Sequence, residues 1–424
     1  MSLAVSTPLS IAVVGAGPVG LSLALHAAQQ LPRAQVTLHD ARPAELDVSR
    51  DPRILALSLG SVQLLQRLAA FDAGAAQPIL EVHVSQQPPT GAALARLVGA
   101  EPELRIRAQD EHVPMLGAVL AHGRIVAPLQ AAWLAAAKRE PDRLHTRFAA
   151  PVRALKDLEA GVEVDAGIAE AHDLVVVAEG GVFASDATRD GLGDTRSGRW
   201  RHDYRQTGWV GQVTLERPHG GTAYERFTRH GPVALLPLPA DDGGAARAAL
   251  VWCVPVDEDP VRELDATQRL AVLNTIFPAA VGRLLAISPL QSFALGLNAQ
   301  RSLVGHAGQA APHGAPRRVV RIGNAAQMLH PVAGQGLNLG LRDAFELVRA
   351  LAVGGADIDA ALRRVEWRRA PDRLSMIAAT DFLARSFTWV LPGGGAARGL
   401  GLAALQALRP VKSLLARQMM YGSR

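Results

Sequence analysis

The residues best suited to chemistry in this chain are glycines, and they fall in two clusters far apart in the sequence. The first is Gly15-Ala16-Gly17-Pro18-Val19-Gly20, which follows the apolar run Ile11–Val14 and precedes Leu21-Ser22-Leu23-Ala24-Leu25. A second apolar run, Val36–Leu38, ends at Asp40. Strand, tight turn, helix and strand, closed by an acid, is the order of a dinucleotide-binding unit. Gly15 allows a sharp exit from the strand, Gly17 lets the backbone approach a pyrophosphate, and Gly20 lets helix and strand pack closely. The helix start offers free N–H groups and a positive dipole end to phosphates. Asp40 can accept hydrogen bonds from ribose hydroxyls.

The second cluster opens after a strand, Val319-Val320-Arg321-Ile322. It reads Gly323-Asn324-Ala325-Ala326-Gln327 and then His330-Pro331-Val332-Ala333-Gly334-Gln335-Gly336-Leu337-Asn338-Leu339-Gly340, with helical composition through Leu347. Two glycine-lined approaches flanking a helix start suit a flat, extended cofactor, because no side chain stands between it and the backbone. A helix beginning near Gly336 aims its dipole at a ring able to carry negative charge. A nicotinamide carries none in either redox state, whereas a reduced isoalloxazine does, along its N1–C2=O edge. The pattern therefore favours a flavin.

These residues resemble the flavin-dependent aromatic hydroxylases with the p-hydroxybenzoate hydroxylase fold. Gly15 to Gly20 looks like their ADP-binding turn. Asp51-Pro52-Arg53 followed by Ala56-Leu57-Ser58 resembles an element whose arginine reaches the cofactor, and Gly323 through Asp343 resembles their flavin-contacting motif. The resemblance spans roughly residues 8–370. The stretches Gly323–Gln327, Leu329-His330-Pro331 and Ala333–Gly336, with Glu225–Pro232 and Leu235–Leu238, are similar to one branch. That branch is the 2-polyprenyl-6-methoxyphenol hydroxylases of ubiquinone biosynthesis.

The resemblance implies FAD as cofactor, NADPH or NADH as transient reductant, and O2 and a lipid-tailed phenol as substrates. The ring would be hydroxylated through a flavin C4a-hydroperoxide, and other ubiquinone-synthesis proteins would be partners. It assigns cofactor contacts to Gly15, Gly17, Gly20, Asp40, Arg53, Glu179, Gly323, Asn324, Gly334, Gln335, Gly336, Leu337 and Asn338. It places His330 and Pro331 at the flavin edge, with no acid–base triad, and makes Phe227 and Pro237 candidate pocket walls. Glu179 stands where the family has an aspartate, before Gly180-Gly181. Asn324 replaces the acid after Gly323, which keeps hydrogen bonding and removes one like charge beside a dianion. Two alternatives stay open: hydroxylation of a different phenol or ring position, and a flavin-binding subunit with a structural role.

The elements that would position these residues form an α/β chain. A discontinuous Rossmann-like FAD-binding domain is expected at 1–76, 104–190 and 297–365, with an inserted antiparallel substrate domain at 77–103 and 191–296. A mainly helical region follows at 366–424. Val210–Leu215, Ala223–Phe227, Val233–Leu236 and Ala248–Val254 read as antiparallel strands, and residues 77–103 as adding a strand or two. Asp259-Pro260 reads as the start of a helix reaching about Phe277, with Asp259 as N-cap. The arginines from Arg363 to Arg369 read as a solvated helix face. Ala56-Leu57-Ser58-Leu59-Gly60 looks like a nucleophile elbow without a strong preceding strand, so Ser58 reads as a capping or cofactor-side serine.

Composition narrows the classes further. The chain has 424 residues, 20% charged, a formal charge of +5 and one cysteine, Cys253. Length implies two or three domains, and the charge is too small for a nucleic-acid signature. One thiol forms no intrachain disulfide, and the histidines show no paired-ligand spacing, so no metal is expected. The N-terminal residues lack a charged leader region and no charge-free run of eighteen apolar residues occurs. A cytoplasmic protein is expected, with peripheral contact on the inner face of the cytoplasmic membrane as the secondary reading of the apolar stretch Leu374–Leu408.

Overall fold

The computed structural model describes residues 8–87, 103–179, 199–308, 314–355, 357–386 and 394–422. Gly180 and Gly181 lie outside the described residues, as do most of 77–103 beyond Gln87 and the expected boundary at 190.

A six-stranded sheet runs edge to edge through Val304–Gly305, Val319–Arg321, Leu174–Val177, Ser10–Val14, Gln35–Asp40 and Leu144–Phe148. Its neighbours pair in parallel except at the Val304–Gly305 edge. A parallel strand covered on both faces must be apolar throughout, which is why Ser10–Val14 shows no alternation. Ile11 and Val13 pack among the helices, while Ala12 and Val14 pack against Val162 and Val164 of a three-stranded meander. Helices Pro18–Gln30, His122–Arg139 and Gly336–Gly354 cover the first face.

The second layer is a nine-stranded sheet built on the long strand Arg199–Leu215. Thr222–Thr228, Gly231–Leu238 and Ala246–Pro255 pair antiparallel beside it, over the stretches whose alternation suggested them. Glu81–Gln86 and Glu103–Arg107 extend this sheet. Gln77–Ile79 does not; it pairs with Gly117–Ala121 in a small sheet that also holds Ile54–Ser58. Strands Gln291–Gln300 and Gln327–Met328 carry the large sheet into the second glycine cluster.

Two local expectations are corrected. The helix expected from Asp259 begins at Ala266, and Asp265 is its N-cap. Only Asp265 has a glutamine three residues on, and the two close a capping box: the Gln268 N–H donates to the Asp265 carboxylate at 2.8 Å, and the Asp265 N–H to the Gln268 side chain at 3.0 Å. Asp259 instead accepts from the Trp209 indole at 3.1 Å and the Val261 N–H at 3.0 Å. The arginine face is also not wholly solvated. Helix Ile358–Ser386 packs on Gly336–Gly354, and Arg369 is buried between Asp343 and Asp372, 2.7 Å from each. Two fully buried carboxylates need charged partners at that helix interface, whereas Arg363 and Arg368 remain exposed. The same helix runs across the expected boundary at 365/366.

Candidate active site: two cavities on one glycine turn

The two glycine clusters meet. Gly340 lies so close to Gly323 that a Cβ on it would stand 2.7 Å from the Gly323 Cα and 2.9 Å from a Val19 methyl. Gly323 itself has φ +59° and abuts Val19. Side chains in this seam would push the two helix starts apart. Within the first turn, Gly15 takes φ +102°, and a Cβ on Gly20 would fall 1.9 Å from the Gly15 carbonyl oxygen. Gly17 is the opposite case: a Cβ there would meet nothing within 4 Å. Its open side faces a cavity of ≈ 700 Å³.

That cavity is lined by Gly15, Gly17, Asp40, Arg53, Glu179, Gly323, Asn324, Gly336 and Leu337, so most residues assigned to the cofactor converge on one space. Gly20 is behind it, as the packing glycine of the turn. Asp40 holds the turn: its carboxylate accepts from the Ala16 N–H at 2.6 Å and from the Arg42 backbone and Nε at 2.8 and 2.9 Å. Arg42 also donates to the Ala16 carbonyl and lines the cavity, presenting a cation that sequence reading missed. Its signal was an arginine two residues after the acid. Arg53 pairs with Asp51 at 2.6 Å, and Asp51 with His122 at 3.0 Å. Burial, with the Asp40 charge nearby, raises the Glu179 carboxyl above its ordinary range. Helices Pro18–Gln30 and Gly336–Gly354 both begin at this cavity, so two dipoles add positive potential there. An open glycine cradle, two helix starts and two arginines suit a diphosphate-bridged cofactor such as FAD.

On the far side of the second glycine turn lies a smaller apolar cavity of ≈ 120 Å³. Pro331, Gly334, Gln335 and Asn338 line this second space, whereas Gly336 and Leu337 of the same turn line the first, so Gly334, Gln335 and Asn338 fall on the apolar side and not in the nucleotide cavity. Asn338 fixes this lining. Its side-chain oxygen accepts from the Ser58 N–H at 2.7 Å and the Ser61 hydroxyl at 2.8 Å, while its amide donates to the Ala56 and Gly334 carbonyls. Ser58 ends a strand, Ile54–Ser58, that the sequence pattern does not announce, and it occupies the N-cap position of the following helix without a side-chain capping bond, its hydroxyl meeting that of Ser61 at the apolar cavity. The opposite walls come from Val82, Ala223, Ala234 and Leu236 of the large sheet and from Ala416, Met419 and Met420 of the helix Arg409–Tyr421.

His330 lines neither cavity. It is fully buried, its Nδ1 accepts from the Val332 N–H at 3.2 Å, and its Nε2 lies 2.9 Å from the Gln206 side-chain oxygen. These partners fix the Nε2–H tautomer, and burial lowers its pKa to about 4, so the ring is neutral. It braces the turn that carries Pro331, which does reach the small cavity. Phe227 packs on Val332 of that turn without lining the cavity. Pro237 does not line it either. Alternation along Gly231–Leu238 puts Ala234 and Leu236 on the cavity side and Pro237 on the other. The methionines of the last helix carried no motif and were not anticipated.

Comparison with known proteins identifies the family. A family model described as "FAD binding domain" matches residues 280–362. The chain is 30% identical over 421 residues to the ubiquinone hydroxylase UbiL of Rhodospirillum rubrum, covering 97% of this chain and 89% of that protein. It is 30% identical over 410 residues to the 3-demethoxyubiquinol 3-hydroxylase of Escherichia coli, covering 94% and 95%. In fold it is similar to the p-nitrophenol 4-monooxygenase PnpA of Pseudomonas putida, with a TM-score of 0.67 at 17% identity over 98% of this chain and 99% of that one. It is likewise similar to HpxO of Klebsiella pneumoniae complexed with FAD, with a TM-score of 0.66 at 17% identity over 98% and 99%. The chain belongs to the FAD-dependent aromatic monooxygenases with the p-hydroxybenzoate hydroxylase fold, and is related there to the ubiquinone-biosynthesis hydroxylases.

Proposed function

We propose that this protein hydroxylates the ring of a polyprenylated phenol, of the 2-polyprenyl-6-methoxyphenol type, in ubiquinone biosynthesis, with NAD(P)H and O2 as co-substrates. The observation that carries the reading is an apolar cavity lined by the same glycine turn that borders the nucleotide cavity, in a chain similar over nearly its whole length to two ubiquinone-pathway hydroxylases. Its volume is close to that of a cavity that takes up one benzene ring, about 150 Å³. A ring fits, and a long tail must leave it.

The bound flavin would supply activated oxygen to an electron-rich ring, chemistry that asks for no nucleophilic side chain. The protein's part is to place the ring and exclude water. Gly334 and Gln335 would bound the ring on the side of the glycine turn, while Ala223, Ala234, Leu236, Met419 and Met420 keep the ring side dry. Glu225, paired across the strands with Ala234, is the charged residue of the lining and the candidate partner of a phenol hydroxyl. Among the described residues no helix is long and apolar enough to cross a membrane. The helix that walls the cavity exposes Val411 and Leu414 between Arg409 and Arg417, a face suited to an anionic bilayer holding a lipid-tailed substrate.

The test is to supply the flavin-loaded protein with NADPH, labelled O2 and polyprenyl phenols that differ in ring substitution. Substrate-stimulated NADPH oxidation and one labelled oxygen in the product are expected with one ring pattern. NADPH oxidation that yields only H2O2 with every phenol would overturn the reading.

A further inference from the structure

On the face of the parallel sheet turned away from the helices, beneath the three-stranded meander, two histidines lie buried with unused nitrogens. His39, on Gln35–Asp40, is 2% exposed, and neither ring nitrogen has a hydrogen-bond partner among the described residues. His172, on Ala169–His172, is 7% exposed; its Nδ1 lies 2.9 Å from the Ser10 hydroxyl, and its Nε2 is buried without a partner. The rings stand nearly perpendicular, 6.4 Å apart between centroids. Glu170 completes the group. One of its oxygens accepts from Arg147 at 3.1 Å, and the other lies 4.0 Å from His172 Nε2. One ligand atom from each of the three residues lies within 4.8 Å of the others.

Buried imidazole nitrogens are ordinarily satisfied, and leaving them unpaired costs free energy. Three orphaned nitrogens beside a carboxylate oxygen, in one place, have a common explanation. The geometry points to a divalent transition-metal site of the zinc class, held by His39, His172 and Glu170, with a fourth position open to water. Two imidazoles and one carboxylate form a borderline donor set that suits zinc and its neighbours, whereas magnesium and calcium favour all-oxygen shells. Bonds of about 2.0–2.1 Å place tetrahedral ligand atoms roughly 3.3 Å apart, so the group closes in by about an ångström, chiefly through the partly exposed Glu170. Its outer contacts already have the form of second-shell support: Ser10 orients His172 through Nδ1, and Arg147 holds the far oxygen of Glu170.

The ion would tie the meander to the strand that carries the nucleotide turn. The His39 carbonyl accepts from the Gly15 N–H at 2.8 Å, and the next residue, Asp40, holds Ala16. The site is therefore a clasp behind the cofactor cavity, separate from the oxygen chemistry and independent of which phenol is hydroxylated.

The test uses tag-free, flavin-loaded protein stripped with a chelator. Zinc, cobalt or magnesium is then titrated by calorimetry, and bound metal is counted after gel filtration. One equivalent of zinc per chain is expected, with a rise of several degrees in the thermal midpoint and none with magnesium. Glu170→Gln should weaken zinc at least tenfold and His172→Asn a hundredfold, with Ser10→Ala lying between wild type and His172→Asn. Flavin content should be unchanged in Glu170→Gln, whose partly exposed side chain makes misfolding easy to distinguish from lost binding. Zinc bound equally by wild type and Glu170→Gln, no zinc retained by wild type, or a midpoint raised as much by magnesium would each overturn the assignment.

Discussion

Replacing Gly17 by alanine separates what the turn does for the cofactor from what it does for the fold. Gly17 has φ −78° and ψ −177°, extended backbone open to any residue, and a Cβ there meets nothing within 4 Å. As an N-cap, alanine is poorer than glycine by up to about 1 kcal/mol. Restricting the unfolded chain returns about 0.4–1 kcal/mol. The two terms oppose each other, so the cofactor-free protein should keep its stability to within about 1 kcal/mol. The new methyl group, however, occupies the open side of the cradle where a phosphate must approach the backbone. Losing one charge-assisted hydrogen bond of about 1.5–3 kcal/mol weakens FAD about 10- to 150-fold. Gly20→Ala is the control with the opposite signature, because its Cβ would stand 1.9 Å from the Gly15 carbonyl oxygen and the turn must distort with or without cofactor. Flavin fluorescence titration and urea unfolding of the cofactor-free proteins read the two effects. Wild-type FAD affinity in Gly17→Ala, or equal loss of cofactor-free stability in both variants, would refute the placement of the diphosphate.

Acid should destabilise the protein through His330. Its native pKa of about 4 lies below the ordinary 6.5, so the unfolded chain takes up the proton first, and stability present above pH 6.5 is lost as pH falls towards 4. The loss at pH 5 is about 2 kcal/mol relative to pH 8, and urea unfolding of His330→Gln should show a pH dependence flatter by that amount. Asp372→Ala, which removes one of the two carboxylates holding the buried Arg369 and the carboxylate facing the buried Arg342, should cost about 3–5 kcal/mol in urea unfolding. Ala234→Phe, projecting into the ≈ 120 Å³ cavity, should leave FAD affinity unchanged and reduce substrate-stimulated NADPH oxidation at least tenfold. Leu414→Asp should reduce sedimentation with anionic vesicles several-fold while sparing flavin binding.

Sequence showed the nucleotide turn because its demands are local. The positive φ of Gly15 and the close approach at Gly20 are requirements of the residues' own backbone, and only glycine meets them. The meeting of the two clusters followed from motif resemblance, and Gly340 against Gly323 supplies its physical basis. What sequence missed depends on partners remote in the chain. Arg369 reads as one more surface arginine until Asp343 is placed opposite it. Pro237 differs from Leu236 only in strand parity relative to a cavity whose other walls lie elsewhere. His39 and His172 lie far apart in the chain, and it is the arrangement of strands that brings their rings together. Met419 and Met420 carry no signature beyond an apolar helix.

The hydrogen bonds of Asn338 have a consequence for how such enzymes diversify. All of its amide capacity is committed to the backbone of Ser58, Ala56 and Gly334 and to the Ser61 hydroxyl, so this partition of the apolar cavity cannot be reshaped without unpicking the fold. Adaptation to a new ring or tail is thereby channelled to the sheet residues and methionines across from it, where one side chain can be exchanged for another at the cost of a methylene or two. Relatives that oxidise different carbons should share the partition almost unchanged and differ in the side chains that look at it.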